Sequence, residues 1–323
     1  RTFPMDLRPQ GPEIIRTWLF STLLRSQLEH GELPWAHASI NGWILDPDRK
    51  KMSKSKGNVV TPTALLEEFG SDAVRYWACN GRPGTDTALD TGVMKIGRRL
   101  AIKVLNASKF ALGRLGDGPV PGVEAVRNPL DIALLSRLAS LVESTTAAHE
   151  SFDYARALEL TESFFWSFCD DYVELVKARA YGEADPAGTD SARATLALAL
   201  SVLHRLFAPF LPFVTEEVWS WWQEGSVHLA AWPDPAEVGP HAGAEADVLN
   251  VAAEVLGAVR REKTANKRSM RARVARLVVS GLPQVRRAVQ DARGDIVDAG
   301  GVDELMLAEA ADLTVVVTLA DET

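Results

Sequence analysis

From about residue 92 to residue 220 the chain repeats apolar side chains at three- and four-residue spacing almost without a break. A stretch of that kind can bury its apolar stripes only against other helices, so it reads as a helix bundle. The spacing predicts helices over residues 91–115, 131–150, 153–181 and 191–207, and another starting at Thr215. A Gly/Pro-rich connection fills 116–129, and Pro209 and Pro212 break the chain before the last helix. On the first helix Ile96, Leu100, Val104, Ala107 and Ala111 form an apolar stripe. The third carries Phe164, Phe165, Trp166, Phe168 and Tyr172. Aromatics at helical spacing face a core more often than a ligand, so core packing is their expected use.

On either side of the bundle the pattern is mixed. Residues 13–29 have helical periodicity and 37–45 alternate like a strand. Thr61-Pro62 and Ser71-Asp72 each open a helix. Residues 224–246, rich in Pro, Gly and Ala, read as a linker. Beyond them come a helix to about residue 266, a strand over 273–280, a helix over 283–293 and strands over 302–307 and 313–319. At 323 residues two or three domains are expected. The composition changes divide them at 1–90, 91–236 and 237–323. The class is mainly α with α/β parts: the end of an α/β domain, a helix bundle, then a small α/β module.

No apolar run approaches the length of a membrane span, and the first residues do not form a secretory signal. The two cysteines, Cys79 and Cys169, lie far apart. They give neither metal-ligand spacing nor a disulfide framework, so a reducing, cytoplasmic setting and no structural metal are expected. The net charge of −8 argues against a polyanionic partner only if the charge is evenly spread. It is not. Lys95, Arg98, Arg99, Lys103, Lys109 and Arg114 stand in a stretch with no acid. Arg260, Arg261, Lys263, Lys267, Arg268, Arg271, Arg273 and Arg276 face only Glu262. One such stripe is usually a solvated helix face; two in an acidic chain favour a polyanion.

The segment Lys51-Met52-Ser53-Lys54-Ser55-Lys56-Gly57-Asn58 follows the mostly apolar Ile40-Asn41-Gly42-Trp43-Ile44-Leu45. Lysine ammonium groups are mobile point charges for phosphate, and serine hydroxyls and glycine amides add neutral donors. An arbitrary lysine-serine run would be a solvated turn. Here the residue order resembles the KMSKS signature of class I aminoacyl-tRNA synthetases, and the flanks extend the likeness. Gly42-Trp43-Ile44-Leu45-Asp46, Gly57-Asn58-Val59-Val60 and Phe69-Gly70-Ser71-Asp72-Ala73-Val74-Arg75-Tyr76 resemble the branch for valine, isoleucine, leucine and methionine. Arg8-Pro9-Gln10, the stretch from Glu13 to Phe20 and the stretch from Arg98 to Phe110 look most like its valyl members.

That resemblance implies the end of a Rossmann-type catalytic domain, an anticodon-binding bundle, and ATP-dependent activation of valine for transfer to its tRNA. ATP with Mg²⁺, valine and tRNA are the implied ligands, with a monomer and no membrane. Lys51 and Lys54 would carry catalysis by neutralising charge on the departing pyrophosphate. Ser53, Ser55 and Lys54, with Trp43, Ile44 and Leu45 on the adenine side, would bind ATP. Met52 would pack the loop down, Gly57 turn it and Asn58 close it. Ile14 and Trp18, one helical turn apart, match positions that wall the amino-acid pocket; without the resemblance both would be simple core. A pocket of that kind rejects a missing methylene by only about 1–3 kcal/mol, which is why relatives carry an editing domain. Lys95, Arg98, Arg99 and Lys103 would meet tRNA phosphates.

The first class I signature, His-x-Gly-His, is not formed by His30, His37, His149, His204, His228 or His241, and no editing insertion is evident. The expectation is therefore a portion of such an enzyme, inactive in valine activation alone. Rival readings are a non-catalytic RNA-binding paralogue and an isoleucyl-type relative, the latter lacking its cysteine-rich zinc module here.

Overall fold

The computed structural model describes residues 3–53, 55, 57–116, 118–182, 185–241 and 247–321. The chain is mostly helical with three small sheets among the described residues. It divides into two units. One comprises Arg1–Lys103, Ala148–Leu158 and Phe210–Val214; the other comprises Val104–Ala147, Glu159–Pro209 and Thr215–Thr323. No helix among the described residues is long and apolar enough to cross a membrane.

The first unit opens with strand β1 (Met5–Gln10), which the sequence did not announce. It pairs in parallel with β2 (Trp35–Ile40), Gln10 opposite Ile40. Between them lies α1 (Phe20–His30), ended by Gly31 in the left-handed conformation. The helix expected from residue 13 starts irregularly, with a 3₁₀ turn over Pro12–Ile14 and a π turn over Ile15–Leu19. The expected strand over 37–45 is split. β2 stops at Ile40, and the two-residue β3 (Ile44–Leu45) pairs instead with β4 (Thr87–Ala88). The reason is Gly42: a Cβ there would stand 2.0 Å from the Thr85 carbonyl oxygen, so a second chain segment crosses where the strand would have continued.

α2 (Pro62–Phe69) and α3 (Ser71–Cys79) start where expected, although Thr61 makes no side-chain cap. They bury Leu65, Phe69, Ala73 and Trp77 with Leu89 and Met94. Asp72 accepts from the Phe213 and Val214 amides at 3.0 and 2.8 Å, so burial, which pushes its carboxyl up, is partly answered. α4 (Thr91–Leu112) buries Met94, Gly97, Leu100, Val104, Ser108 and Ala111, whereas Ile96 is exposed among the cations. The buried stripe therefore begins two residues earlier than the sequence reading placed it.

Gly97 allows a close helix crossing. A Cβ there would lie 2.6 Å from the Tyr76 Cβ. Gly97→Ala gains about 1 kcal/mol of helix propensity but forces overpacking that costs about 1–3 kcal/mol. The clash involves a Cβ, which cannot swing aside, so a net loss of thermal stability is expected in a melting curve; a gain would mean that α3 and α4 slide apart freely.

In the second unit α5 (Pro129–Glu150) is buried on nearly every face in its first half and exposes Ser140, Glu143, Ser144 and Ala147 in its second, and α9 (Pro186–Phe207) runs beside the connection before α5. α9 begins five residues earlier than expected, because Asp185 accepts from the Gly188 amide at 2.9 Å and caps it. The expected long helix over 153–181 is four pieces: α6 (Tyr154–Ser167), a π turn (Phe168–Tyr172), α7 (Val173–Leu175) and α8 (Lys177–Tyr181). A π turn inserts a residue into the helical repeat. It sits where Phe165, Phe168 and Tyr172 stack inward, with Phe165 edge-on to Phe207 at 5.4 Å. These aromatics are core, as read. α10 (Pro212–Trp219) begins three residues earlier than expected, with Pro212 as its first helical residue, where its missing N–H costs nothing.

The C-terminal residues form a mixed sheet in the order β6-β5-β7. β5 (Val274–Gly281) pairs in parallel with β6 (Val302–Glu309) and antiparallel with β7 (Thr314–Leu319). α11 (Asp247–Ala265) and α12 (Pro283–Asp291) pack with it, as does α13 (Arg293–Gly300), which the sequence reading missed. Gly294 and Gly300 hide α13, and a turn at Ala292 separates it from α12.

A buried polar network ties this part of the second unit together. Arg179, 6% exposed, grips Asp131 with two bonds of 2.8 Å and donates from Nε to Asp295 at 2.6 Å. Asp131 also accepts from the Tyr172 hydroxyl at 2.8 Å and the Ser191 hydroxyl at 2.6 Å. Five elements (α5, the π turn, α8, α9 and α13) thus meet at one ion cluster.

Candidate functional site

The lysine-serine loop is a clamped hairpin. Asp46 and Lys50 close its base, with the Asp46 amide donating to the Lys50 carbonyl at 2.8 Å and Arg49 in the left-handed region at φ 62°. The Asp46 carboxylate accepts from the Lys50 amide at 2.7 Å and from Asn58 Nδ2 at 2.8 Å. The Asn58 and Lys50 bonds hold that carboxyl below the usual range. Asn58 then turns its Oδ1 to accept the Ser53 amide at 2.9 Å, and its Nδ2 reaches the Lys51 carbonyl at 3.3 Å. One amide therefore ties both ends of residues 51–58. Gly57 makes the return turn at φ 68°.

Met52 packs against the Leu65–Phe69–Trp77 cluster, as expected from the sequence. Lys51 lays its ammonium over the Trp43 ring, 3.3 Å from the centroid. The Ser53 and Ser55 hydroxyls are 3.2 Å apart. Lys54 lies outside the described residues, as does Lys56.

Trp43 and Ile44 line a cavity of about 460 Å³ in the same unit. Its wall also includes Gly11, Pro12, Glu13, Asn41, Gly42, Trp77, Arg82, Thr85, Thr87 and Tyr154. Among the described residues Glu13 is the one acidic lining residue and Arg82 the one basic. The Trp43 amide donates to Asp86 at 2.8 Å, and the Trp43 and Leu45 carbonyls accept from the Thr87 and Leu89 amides, both at 2.9 Å. Leu45 is not among the lining residues; its place in β3 sets the register that leaves Ile44 facing the cavity. Glu13, Arg82 and Tyr154 escaped the sequence reading, because nothing local marks a side chain that reaches a cavity assembled from distant segments.

Ile14 and Trp18 are not core. They are 43% and 56% exposed. Trp18 lines a separate hollow with Phe3, Arg25 and His30, and Ile14 lines neither. The Arg8 guanidinium stands between the Trp18 and Trp35 rings, 5.8 and 5.6 Å from their centroids.

Of the α4 cations, Lys95, Arg98 and Arg99 line one shallow groove of about 730 Å³ with Ile96 and Ile102. Arg98 is anchored through Nη1 to the Glu68 carbonyl at 2.6 Å. Lys103 does not line the groove. In the second unit another cation–aromatic cluster forms. Arg114 lies 4.2 Å from the Tyr181 ring centroid, Lys177 lies 5.8 Å from that of Phe110, and Phe110 meets Tyr181 edge-on at 6.2 Å. Tyr181 is nearly half exposed. Among the described residues no group of three or more His, Cys, Asp or Glu is placed to hold a metal ion.

Residues 1–90 match the family described as tRNA synthetases class I (I, L, M and V), and residues 131–277 match the anticodon-binding domain of tRNA ligase. The valine–tRNA ligase of Salinispora tropica is 59% identical over 99% of this chain and 39% of its own length. That of Thermobifida fusca is 60% identical over 99% of this chain and 36% of its own. The chain thus spans somewhat over a third of the curated relatives it matches. Among solved structures, the Agrobacterium radiobacter K84 agnB2 LeuRS–tRNA–LeuAMS ternary complex matches with a TM-score of 0.58 and 24% identity, over 72% of this chain and 30% of that one. At that identity the likeness concerns the fold.

Proposed function

The chain belongs to the class I tRNA synthetases, among the valine–tRNA ligases, and we propose that it works as the part of such a ligase that steadies ATP phosphates and holds tRNA. The observation that carries this reading is the clamped lysine loop, whose Lys51 rests on the same Trp43 ring that walls a nucleotide-sized cavity. Residues 1–90 then form the end of a Rossmann-type catalytic domain, 91–236 the anticodon-binding bundle and 237–323 a small α/β module.

In the reaction the valine carboxylate attacks the α-phosphorus of ATP, and pyrophosphate leaves as its Mg²⁺ salt. Negative charge gathers on the phosphate oxygens, and cations held there lower the barrier. Lys51 and Lys54 supply them, with Ser53 and Ser55 as neutral donors. Trp43, Ile44 and Leu45 form the adenine side. Because Trp43 and Leu45 bond to β4, strand alternation turns the Ile44 amide and carbonyl the other way, where they can pair with a base edge. The Glu13 carboxylate suits a ribose diol. Ile14 and Trp18 border the valine side chain, their exposure being what a ligand-facing wall requires. Lys95, Arg98, Arg99 and Lys103 contact tRNA phosphates, and the Phe110–Tyr181 pair with Arg114 offers a stacking surface for unpaired bases. The protein acts as a cytoplasmic monomer.

The test has two arms. The full-length ligase is expected to catalyse pyrophosphate exchange with valine and not with leucine, isoleucine or methionine. The chain alone is expected to bind tRNA yet show no exchange. Valine-dependent exchange by the chain alone would overturn the division of labour, and failure to bind tRNA would remove the RNA-holding role.

A further inference from the structure

The cavity beside Trp43 has one wall from far along the chain. Its other described lining residues all precede residue 88, whereas Tyr154 comes from the first turn of α6, within the sequence of the helix bundle. The fold accounts for this. Ala148–Leu158, the corner between α5 and α6, belongs to the same unit as the cavity.

Two helix ends that share one residue set this corner. α5 closes with the Phe152 amide donating to the His149 carbonyl at 2.9 Å and the Asp153 amide to the Ala148 carbonyl at 2.8 Å, a two-bond ending usually built around a glycine. Phe152 holds the glycine's place at φ 60°. A bulky residue keeps a left-handed backbone only where its surroundings fix it. Here its ring lies 5.1 Å from that of His37, and His149 stacks on Phe210 at 5.7 Å. Asp153 then opens α6, its carboxylate accepting from the Arg156 amide and its carbonyl from the Ala157 amide, both at 3.1 Å. Tyr154 is the next residue, so bonds on both sides set its place at the cavity.

Tyr154 is half-buried, and its hydroxyl makes no hydrogen bond to any described residue. Burial, with the Cys79 thiol and the Asp153 carboxylate adding to it, pushes the phenol above its ordinary range, so at neutral pH it keeps its proton and can donate. With Glu13 and Arg82 as the one acid and one base among the described lining residues, the cavity carries no excess positive charge for a triphosphate, and the lysine loop's Lys51, Ser53 and Ser55 are not in its wall. The cavity therefore suits the uncharged end of a nucleotide. We propose that Tyr154 is a nucleotide-binding residue that the helix bundle supplies to the ATP site, donating from its phenol to the adenosine end. The inference rests on the ATP reading proposed above and adds a contact to it from a stretch outside the catalytic part of the sequence.

The experiment is valine-dependent pyrophosphate exchange by the full-length ligase, for the wild type, Tyr154→Phe and Lys51→Ala, with adenosine and inorganic tripolyphosphate as separate competitors of ATP. Tyr154→Phe deletes one oxygen that no described residue holds, so an unchanged melting curve is expected. Its KM for ATP should rise about fivefold, the scale of one neutral hydrogen bond. Inhibition by adenosine should weaken by the same factor, while inhibition by tripolyphosphate and the KM for valine stay as in the wild type. An unchanged KM for ATP in Tyr154→Phe, with exchange still slowed in Lys51→Ala, would overturn the Tyr154 contact and leave the ATP reading standing. A raised KM for ATP with adenosine inhibition untouched, or with a matching rise in the KM for valine, would also overturn it, because the tyrosine would then act on the phosphates or on the shape of the whole site. No effect of either variant would remove the contact and the ATP reading together.

Discussion

Arg179→Met is expected to cost about 3–5 kcal/mol of folding stability, the usual penalty for removing one partner from a buried ion cluster. The loss exceeds that of any surface pair in the molecule, since exposed pairs contribute about 0–1 kcal/mol. Without the guanidinium, Asp131 keeps the Tyr172 and Ser191 hydroxyls as side-chain donors among the described residues, and Asp295 loses its 2.6 Å donor. Burial already outweighs Arg179 at Asp295 and pushes that carboxyl from an ordinary 3.8 up to about 6. A raised carboxyl means that folding favours its protonated form. Its stabilising contribution is therefore full below about pH 4 and is lost as pH rises through about 6. Removing Arg179 pushes the carboxyl higher still, so the penalty should grow between pH 4 and pH 7. Urea unfolding at both pH values measures this. A loss under 1 kcal/mol, or one that shrinks with rising pH, would show that the cluster is incidental. Asp295→Asn in the Arg179→Met background should recover part of the loss at pH 7.

Lys51→Ala in the full-length ligase is expected to slow valine-dependent pyrophosphate exchange by about a hundredfold, the scale seen when one preorganised group facing a developing charge is removed. The KM for valine should hardly change, because the lysine acts on the phosphates. Trp43→Leu separates two roles of one ring. It releases the Lys51 ammonium from its 3.3 Å seat and also removes a wall of the cavity. It should therefore raise the KM for ATP, whereas Lys51→Ala should act mainly on kcat. If Lys51→Ala instead raised the KM for valine and left kcat intact, the lysine would belong to amino-acid binding.

The parts of this molecule that obey one local rule could be read from its sequence. The starts of α2 and α3, the cores of α5, α9 and α11, the inward aromatics around Phe165 and the three C-terminal strands all follow periodicity or a breaker residue. Met52 and Asn58 also took the places their chemistry suggested. What escaped depended on distant chain. Strand 37–45 was cut because residue 85 crosses at Gly42. The π turn at Phe168–Tyr172 leaves no mark in a pattern that still looks helical. Asp131, Arg179 and Asp295 are separated by 48 and 116 residues, so no window contains the cluster. The basic run at 260–276 was legible as charge but not as a division between the buried Lys263, the paired Arg260, Arg273 and Arg276, and the exposed Arg261, Lys267 and Arg271. Lys54, which the resemblance sets beside Lys51 in catalysis, lies outside the described residues.

The seating of Met52 in the Leu65–Phe69–Trp77 cluster has a consequence for oxidative stress. A thioether is among the side chains that peroxide attacks most readily, and its sulfoxide is polar. Such a group would be a poor lodger among phenylalanine and leucine, and would lift the hairpin off its footing while leaving every lysine chemically intact. The loop's anchor is thus also the point at which peroxide would uncouple it, and methionine sulfoxide reductase chemistry would restore it.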